Sequence, residues 1–109
     1  MERRERWIGA ACLALVACSQ GGGEPDLVTR GERVYQNVCI ACHNGDPSRD
    51  GALGPAIAGA SRELLEARVL RGEYPPGYHP KRSSAAMPSF PYLKDDIPAL
   101  EAYLASMPR

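Results

Sequence analysis

The sequence predicts an all-α domain with long irregular connections. Three observations predict it. Apolar residues recur at helical spacing in three separate stretches. No stretch alternates with the period of two for long enough to make a sheet, and the intervening segments are rich in Gly, Pro and Ser. The chain has 109 residues, enough for one small domain, and its formal net charge is +0. No internal repeat is visible. No basic stripe is present either, so a nucleic-acid partner is excluded from the reading.

In the first helix Leu27, Val28, Gly31, Val34, Tyr35 and Val38 share one face, and Asp26 is placed to cap its start. Gly31 costs stability inside a helix. Either a second helix crosses closely there or the position is a tolerated weak spot. The second helix is expected over 62–71, with Ser61 as its cap and Gly72 at its end. Leu64, Leu65, Val69 and Leu70 are its apolar contacts. The third helix is expected after Asp95, with Pro98 in its first turn. Ile97, Leu100, Tyr103, Leu104 and Met107 form its buried stripe.

Before the first helix the chain has a different character. Residues 1–6 are charged apart from Met1, and residues 7–17 are almost wholly apolar with small residues at the end, as in an export signal. The apolar run is too short for a membrane-spanning helix, which needs about 20 residues. Its end, Leu15-Val16-Ala17-Cys18, resembles the lipobox of bacterial lipoproteins. That resemblance implies a signal peptide over 1–17, a lipid on Cys18 and a flexible tether over 18–26. The folded domain is then 27–109, held on the periplasmic side of a bacterial membrane, inner or outer. The alternative is an ordinary secretory signal cut near Ala17, with Cys18 incidental. Cys12 lies too early in the apolar run to be the modified cysteine.

Residues 39–43 read Cys39-Ile40-Ala41-Cys42-His43. C-x-x-C-H is the attachment signature of a c-type haem. The two thiols add across the porphyrin vinyl groups, and the adjacent histidine ligates the iron. A thioredoxin-like dithiol would need a βαβ setting, which is missing, and a structural zinc site needs four ligands. The remaining cysteines are Cys12 and Cys18, and the other histidine is His79. Haem attachment therefore leaves no free thiol in the mature chain and no disulfide, which suits an oxidising compartment.

Iron held by one histidine has a second axial position. Met87, Met107, His79, Lys81 and Lys94 could reach it. Met107 continues the stripe of the last helix and reads as core filler. Met87, in Ala86-Met87-Pro88, lies on the irregular segment and on no helical face. Its thioether suits soft iron and raises the potential, whereas His79, its rival, would lower it.

Taken together these residues resemble a class I (monohaem) cytochrome c, over about residues 27–106. The family's first helix carries a glycine and an aromatic four residues on, matched by Gly31 and Tyr35. Its haem motif matches Cys39, Cys42 and His43. Its Gly-Pro matches Gly54-Pro55, and its Met-Pro matches Met87-Pro88. The resemblance implies the small cytochrome c fold, with three main helices and long loops around one covalent haem c. It implies that the Pro55 carbonyl accepts the second N–H of His43. It also implies that Leu100 and Tyr103 pack on the first helix, which would explain Gly31.

Two departures stand out. Fourteen residues separate Gly72 from Met87, more than in many small bacterial members, and His79 lies among them. The only tryptophan, Trp7, lies in the signal. The propionate contact that some relatives make through indole would fall to Arg68, Arg71, Tyr74, Tyr78, Lys81 or Arg82.

The function implied is one-electron transfer by a tethered carrier with His43/Met87 ligation, and not an enzyme activity. Its donor and acceptor would be redox proteins meeting it in weak encounters, with the carrier monomeric or weakly associated. Two alternatives differ in kind. One is a haem subunit fixed to a larger oxidase or dehydrogenase. The other is a ligand-binding haem protein with an open sixth site.

Overall fold

The computed structural model describes residues 26–83 and 86–107. The expected signal peptide, lipidated Cys18 and nearly all of the tether lie outside the described residues. Three helices and no strand are found among those described, as expected for a small cytochrome c fold. None of these helices is long and apolar enough to cross a membrane.

Helix α1 spans Leu27–Val34 and continues as a wider, π-type turn over Tyr35–Cys39. Asp26 caps it, its carboxylate accepting the Thr29 N–H at 2.8 Å. Helix α2 spans Arg62–Leu65 and likewise widens over Glu66–Leu70. Ser61 caps its start by accepting from Leu64 N–H at 3.1 Å. Gly72, at φ +70°, ends it in a left-handed cap, with its N–H on the Arg68 carbonyl at 3.2 Å. Helix α3 spans Ile97–Ala105 with Pro98 in its first turn. A 3₁₀ turn over Pro91–Asp96 leads into it, which periodicity did not foresee.

The core forms where α1 and α3 cross. A Cβ on Gly31 would overlap the backbone of Ala99 and come within 2.8 Å of the Tyr103 Cβ. Gly31 is therefore a contact point between two helices and not a weak spot. Beside it the rings of Tyr35 and Tyr103 lie 5.6 Å apart at 51°. Ile97, Leu100 and Leu104 of the α3 stripe are almost wholly buried, worth roughly 1.5–3 kcal/mol each. Met107 packs on the edge of this cluster. The expected α1 face is only partly inward: Leu27 and Val28 are exposed, because α3 reaches α1 from Gly31 onward.

Ion pairs bind the outside of the same assembly. Arg30 on α1 meets Asp96 at the head of α3 at 2.7 Å, and Arg62 on α2 meets Glu101 on α3 at 2.7 Å. Both pairs are half exposed, so each contributes well under about 1 kcal/mol. Their consequence is geometric: α1 and α2 are fixed to one helix, with a cavity left between them.

Candidate functional site

The cavity is apolar, about 250 Å³ in volume, and walled by all three helical segments. Val38 and Cys39 come from the end of α1, Leu65 and Val69 from α2, and Leu100 and Leu104 from α3. Cys42 and His43 stand on the turn that follows α1, and Met87 faces the same space from the long segment before α3. The structure thus brings Met87 to Cys39, Cys42 and His43 of the contiguous motif, from which it is far apart in sequence. His79 is exposed and lines neither this cavity nor its neighbour.

The turn carrying His43 is held from several sides. His43 Nδ1 lies 2.8 Å from the Pro55 carbonyl. Donation by Nδ1–H fixes the tautomer and leaves the Nε2 lone pair for a metal. Gly54 packs flat on the imidazole, and a Cβ there would overlap the ring. Gly51 packs as closely on the backbone of Cys42, His43 and Asn44. The N–H groups of Leu53 and Gly54 both donate to the Cys42 carbonyl, at 3.1 and 3.0 Å. From the other side the Tyr35 hydroxyl donates to the Asn44 carbonyl.

Burial pushes the Cys39 thiol up to about 11. A redox dithiol needs the opposite, a thiol lowered toward thiolate at neutral pH. Cys39 is therefore poorly suited to attack in disulfide exchange. One imidazole, one thioether and two thiols around an apolar slot suit a flat apolar ring system with a central soft metal. A family model described as Cytochrome c matches residues 28–108.

The chain belongs to the cytochrome c family.

Comparison with curated proteins and with solved structures gave no match. Family membership means that this cytochrome c carries a covalently bound c-type haem, with Cys39 and Cys42 in its C-x-x-C-H motif. The residues present fit that group: the slot is apolar, both thiols border it, and Gly54 leaves the imidazole free of steric interference.

A second cavity of about 110 Å³ adjoins the first and shares Cys42, His43 and Met87 with it. Its wall is different. Arg68, Lys81, Arg82, Tyr74 and Tyr78 line it, and no carboxylate does. The Arg68 guanidinium lies 4.3 Å from the Tyr74 ring centroid, and Tyr74 stacks on Tyr78 at 5.4 Å and 10°. Arg82 donates to the Gly51 carbonyl at 3.1 Å and Lys81 to the Ala56 carbonyl at 2.7 Å. Arg71, an equal candidate by sequence, points away and pairs with Glu73 at 3.1 Å. Of the six candidates named from sequence, the structure selects Arg68, Tyr74, Tyr78, Lys81 and Arg82, a choice that depends on the path of the segment after Gly72.

Proposed function

We propose that this cytochrome c is a class I monohaem carrier that moves one electron at a time between redox proteins, its iron held by His43 and Met87. The observation that carries the reading is that His43 and Met87 line the same apolar cavity while His79 stands outside it. When bound, the haem supplies an iron that accepts one electron and returns it. The protein's residues do the rest. Cys39 and Cys42 anchor one edge through thioethers. His43, oriented by Pro55, presents Nε2, and Met87 presents sulfur. Two protein ligands keep the coordination alike in both oxidation states, which favours fast transfer and excludes substrate from the metal.

Arg68, Tyr74, Tyr78, Lys81 and Arg82 would hold the anionic carboxylates of the haem, a role supported by the three cations, the two hydroxyl donors and a cavity wall without a carboxylate. A redox partner would reach the cofactor's edge near Cys39 and Cys42, where Ile40 and Ala41 are exposed. The chain is secreted and anchored through a lipid on Cys18, on the periplasmic side of a bacterial membrane. The composition of residues 1–26 supports this part.

Two measurements test the reading. Haem in the matured protein should survive acid–acetone extraction, and the ferrous protein should take up carbon monoxide only slowly. Immediate carbon monoxide binding would favour the open-site alternative. Mass spectrometry of the native protein should find an acylated Cys18 at the N-terminus, and an unmodified cysteine there would reduce the anchor to a plain export signal.

A further inference from the structure

Tyr35 is wholly buried, yet it carries a hydroxyl. Its ring already has a task, packing against Tyr103 and walling the cavity, which phenylalanine would perform as well. The hydroxyl has a different neighbour, the carbonyl of Asn44, the residue directly after His43. The next residue of the α1 extension repeats the contact one step on: Gln36 Nε2 donates to the Gly45 carbonyl at 3.2 Å. On the other side of His43, the Cys42 carbonyl is held by Leu53 and Gly54. The backbone on the two sides of His43 is thus held by two different elements, the 51–54 loop at Cys42 before it and the α1 extension at Asn44 and Gly45 after it.

We propose that the Tyr35 hydroxyl is a positioning group for His43, fixing the backbone on which the imidazole rides so that Nδ1–H stays aligned with the Pro55 carbonyl. The inference rests on His43 as the iron ligand and adds a residue to its support. The hydroxyl is a durable donor: burial pushes its pKa well above the ordinary tyrosine value, so it stays protonated throughout the physiological range. Without it the partly buried Asn44 carbonyl loses its partner, and the His43 turn opens more often.

The test is hydrogen exchange by NMR on the haem-loaded full chain, wild type against Tyr35→Phe. The His43 ring N–H and the Leu53 and Gly54 amides should exchange about five- to tenfold faster in the variant. The Gly59 amide, on the Leu104 carbonyl at 2.8 Å, and the Phe90 amide, on the Val69 carbonyl at 2.6 Å, report on the rest of the fold. Both should stay within about twofold of wild type. Equal acceleration at all sites would mean that the hydroxyl only stabilises the fold, and no change at His43 would mean that it positions nothing. Either result overturns the proposal. Tyr103→Phe removes a hydroxyl from the same aromatic pair and should leave His43 unchanged; an effect equal to that of Tyr35→Phe contradicts the assignment.

If Tyr35→Phe takes up no haem, the wild type alone decides. The Tyr35 hydroxyl proton should exchange far more slowly than that of the exposed Tyr92, and equal rates would overturn the proposal. Absence of iron-shifted His43 ring signals in the wild type would instead count against the ligand assignment itself.

Discussion

The two irregular segments that border the cavity are held by different chemistry. Residues 44–60, on the His43 side, are tied by their own backbone. Ile57 and Ala58 both donate to the buried Pro47 carbonyl, at 2.8 and 3.0 Å, and Gly51 donates to the Gly54 carbonyl at 2.8 Å. Asp46 folds the start of the segment by accepting from the Ser48 N–H at 3.0 Å and its hydroxyl at 2.6 Å. Among the described residues 73–83 and 86–90, on the Met87 side, backbone bonds tie Glu73 and Phe90 to α2 and close a turn at Tyr78, while side chains make the ties to the first segment. Lys81 and Arg82 reach across to carbonyls of the first segment, Arg68 and two tyrosines stack, and the Phe90 N–H fastens the far end to α2. Backbone bonds of this kind fix a ligand's position closely, whereas long side chains let their segment move at lower cost. The histidine side is thus built as a fixed wall and the methionine side as a strap laid over it.

The sharpest way to break this contrast is to put a methyl group on a glycine of each segment. Gly54→Ala should destabilise the haem-loaded protein by about 3 kcal/mol in urea unfolding, because the new Cβ overlaps the His43 ring and neither the backbone nor the ring can yield. Gly77→Ala meets open space and suffers only from its positive φ of +80°, so about 1 kcal/mol is expected. Equal costs would mean that the two walls are equally rigid.

Removing the two side-chain ties should matter locally more than globally. The double variant Lys81→Ala with Arg82→Ala should lower stability by about 1–2 kcal/mol, since Lys81 is exposed, Arg82 is half-buried and each donates one hydrogen bond to a carbonyl of the first segment. Amide exchange at Tyr78 should nevertheless quicken, while Leu53 and Gly54 stay protected. Loss of protection on the His43 side would show that the strap supports the wall.

The smallest effect is the acid response of Asp46. Hydrogen bonds from Ser48 hold its carboxyl below the ordinary 3.8, so its contribution is present above that pH and lost as pH falls through the lower folded value. The wild-type melting temperature should therefore drop below pH 4 by more than that of Asp46→Asn. Parallel curves would show that this turn adds nothing to stability.

Sequence reading served the helical half of the molecule better than the strap. Asp26, Ser61 and Gly72 marked helix ends because capping is local chemistry, and Ile97, Leu100, Tyr103 and Leu104 announced a buried face through their spacing. Gly31 needed more. Propensity left its role open, and only the approach of Ala99 and Tyr103 resolved it. Leu27 and Val28 fit the periodicity yet stay exposed, because a face is buried only where a partner helix reaches it.

In the site, Cys39, Cys42 and His43 were legible as one contiguous motif. Arg68, Tyr74, Tyr78, Lys81 and Arg82 were candidates there together with Arg71, but nothing in the sequence chose among them, since the path of an irregular segment makes the choice. The Tyr35 hydroxyl was invisible: its partner is a backbone carbonyl, which has no signature in sequence.

The most direct test of the central claim is the ferric absorption spectrum, read for the charge-transfer band of a methionine sulfur on iron. With His43 and Met87 as the axial pair, the band is present in the wild type, disappears in Met87→Ala and persists in His79→Ala. A band that survives Met87→Ala, or a wild type that lacks it and changes only in His79→Ala, would contradict the account.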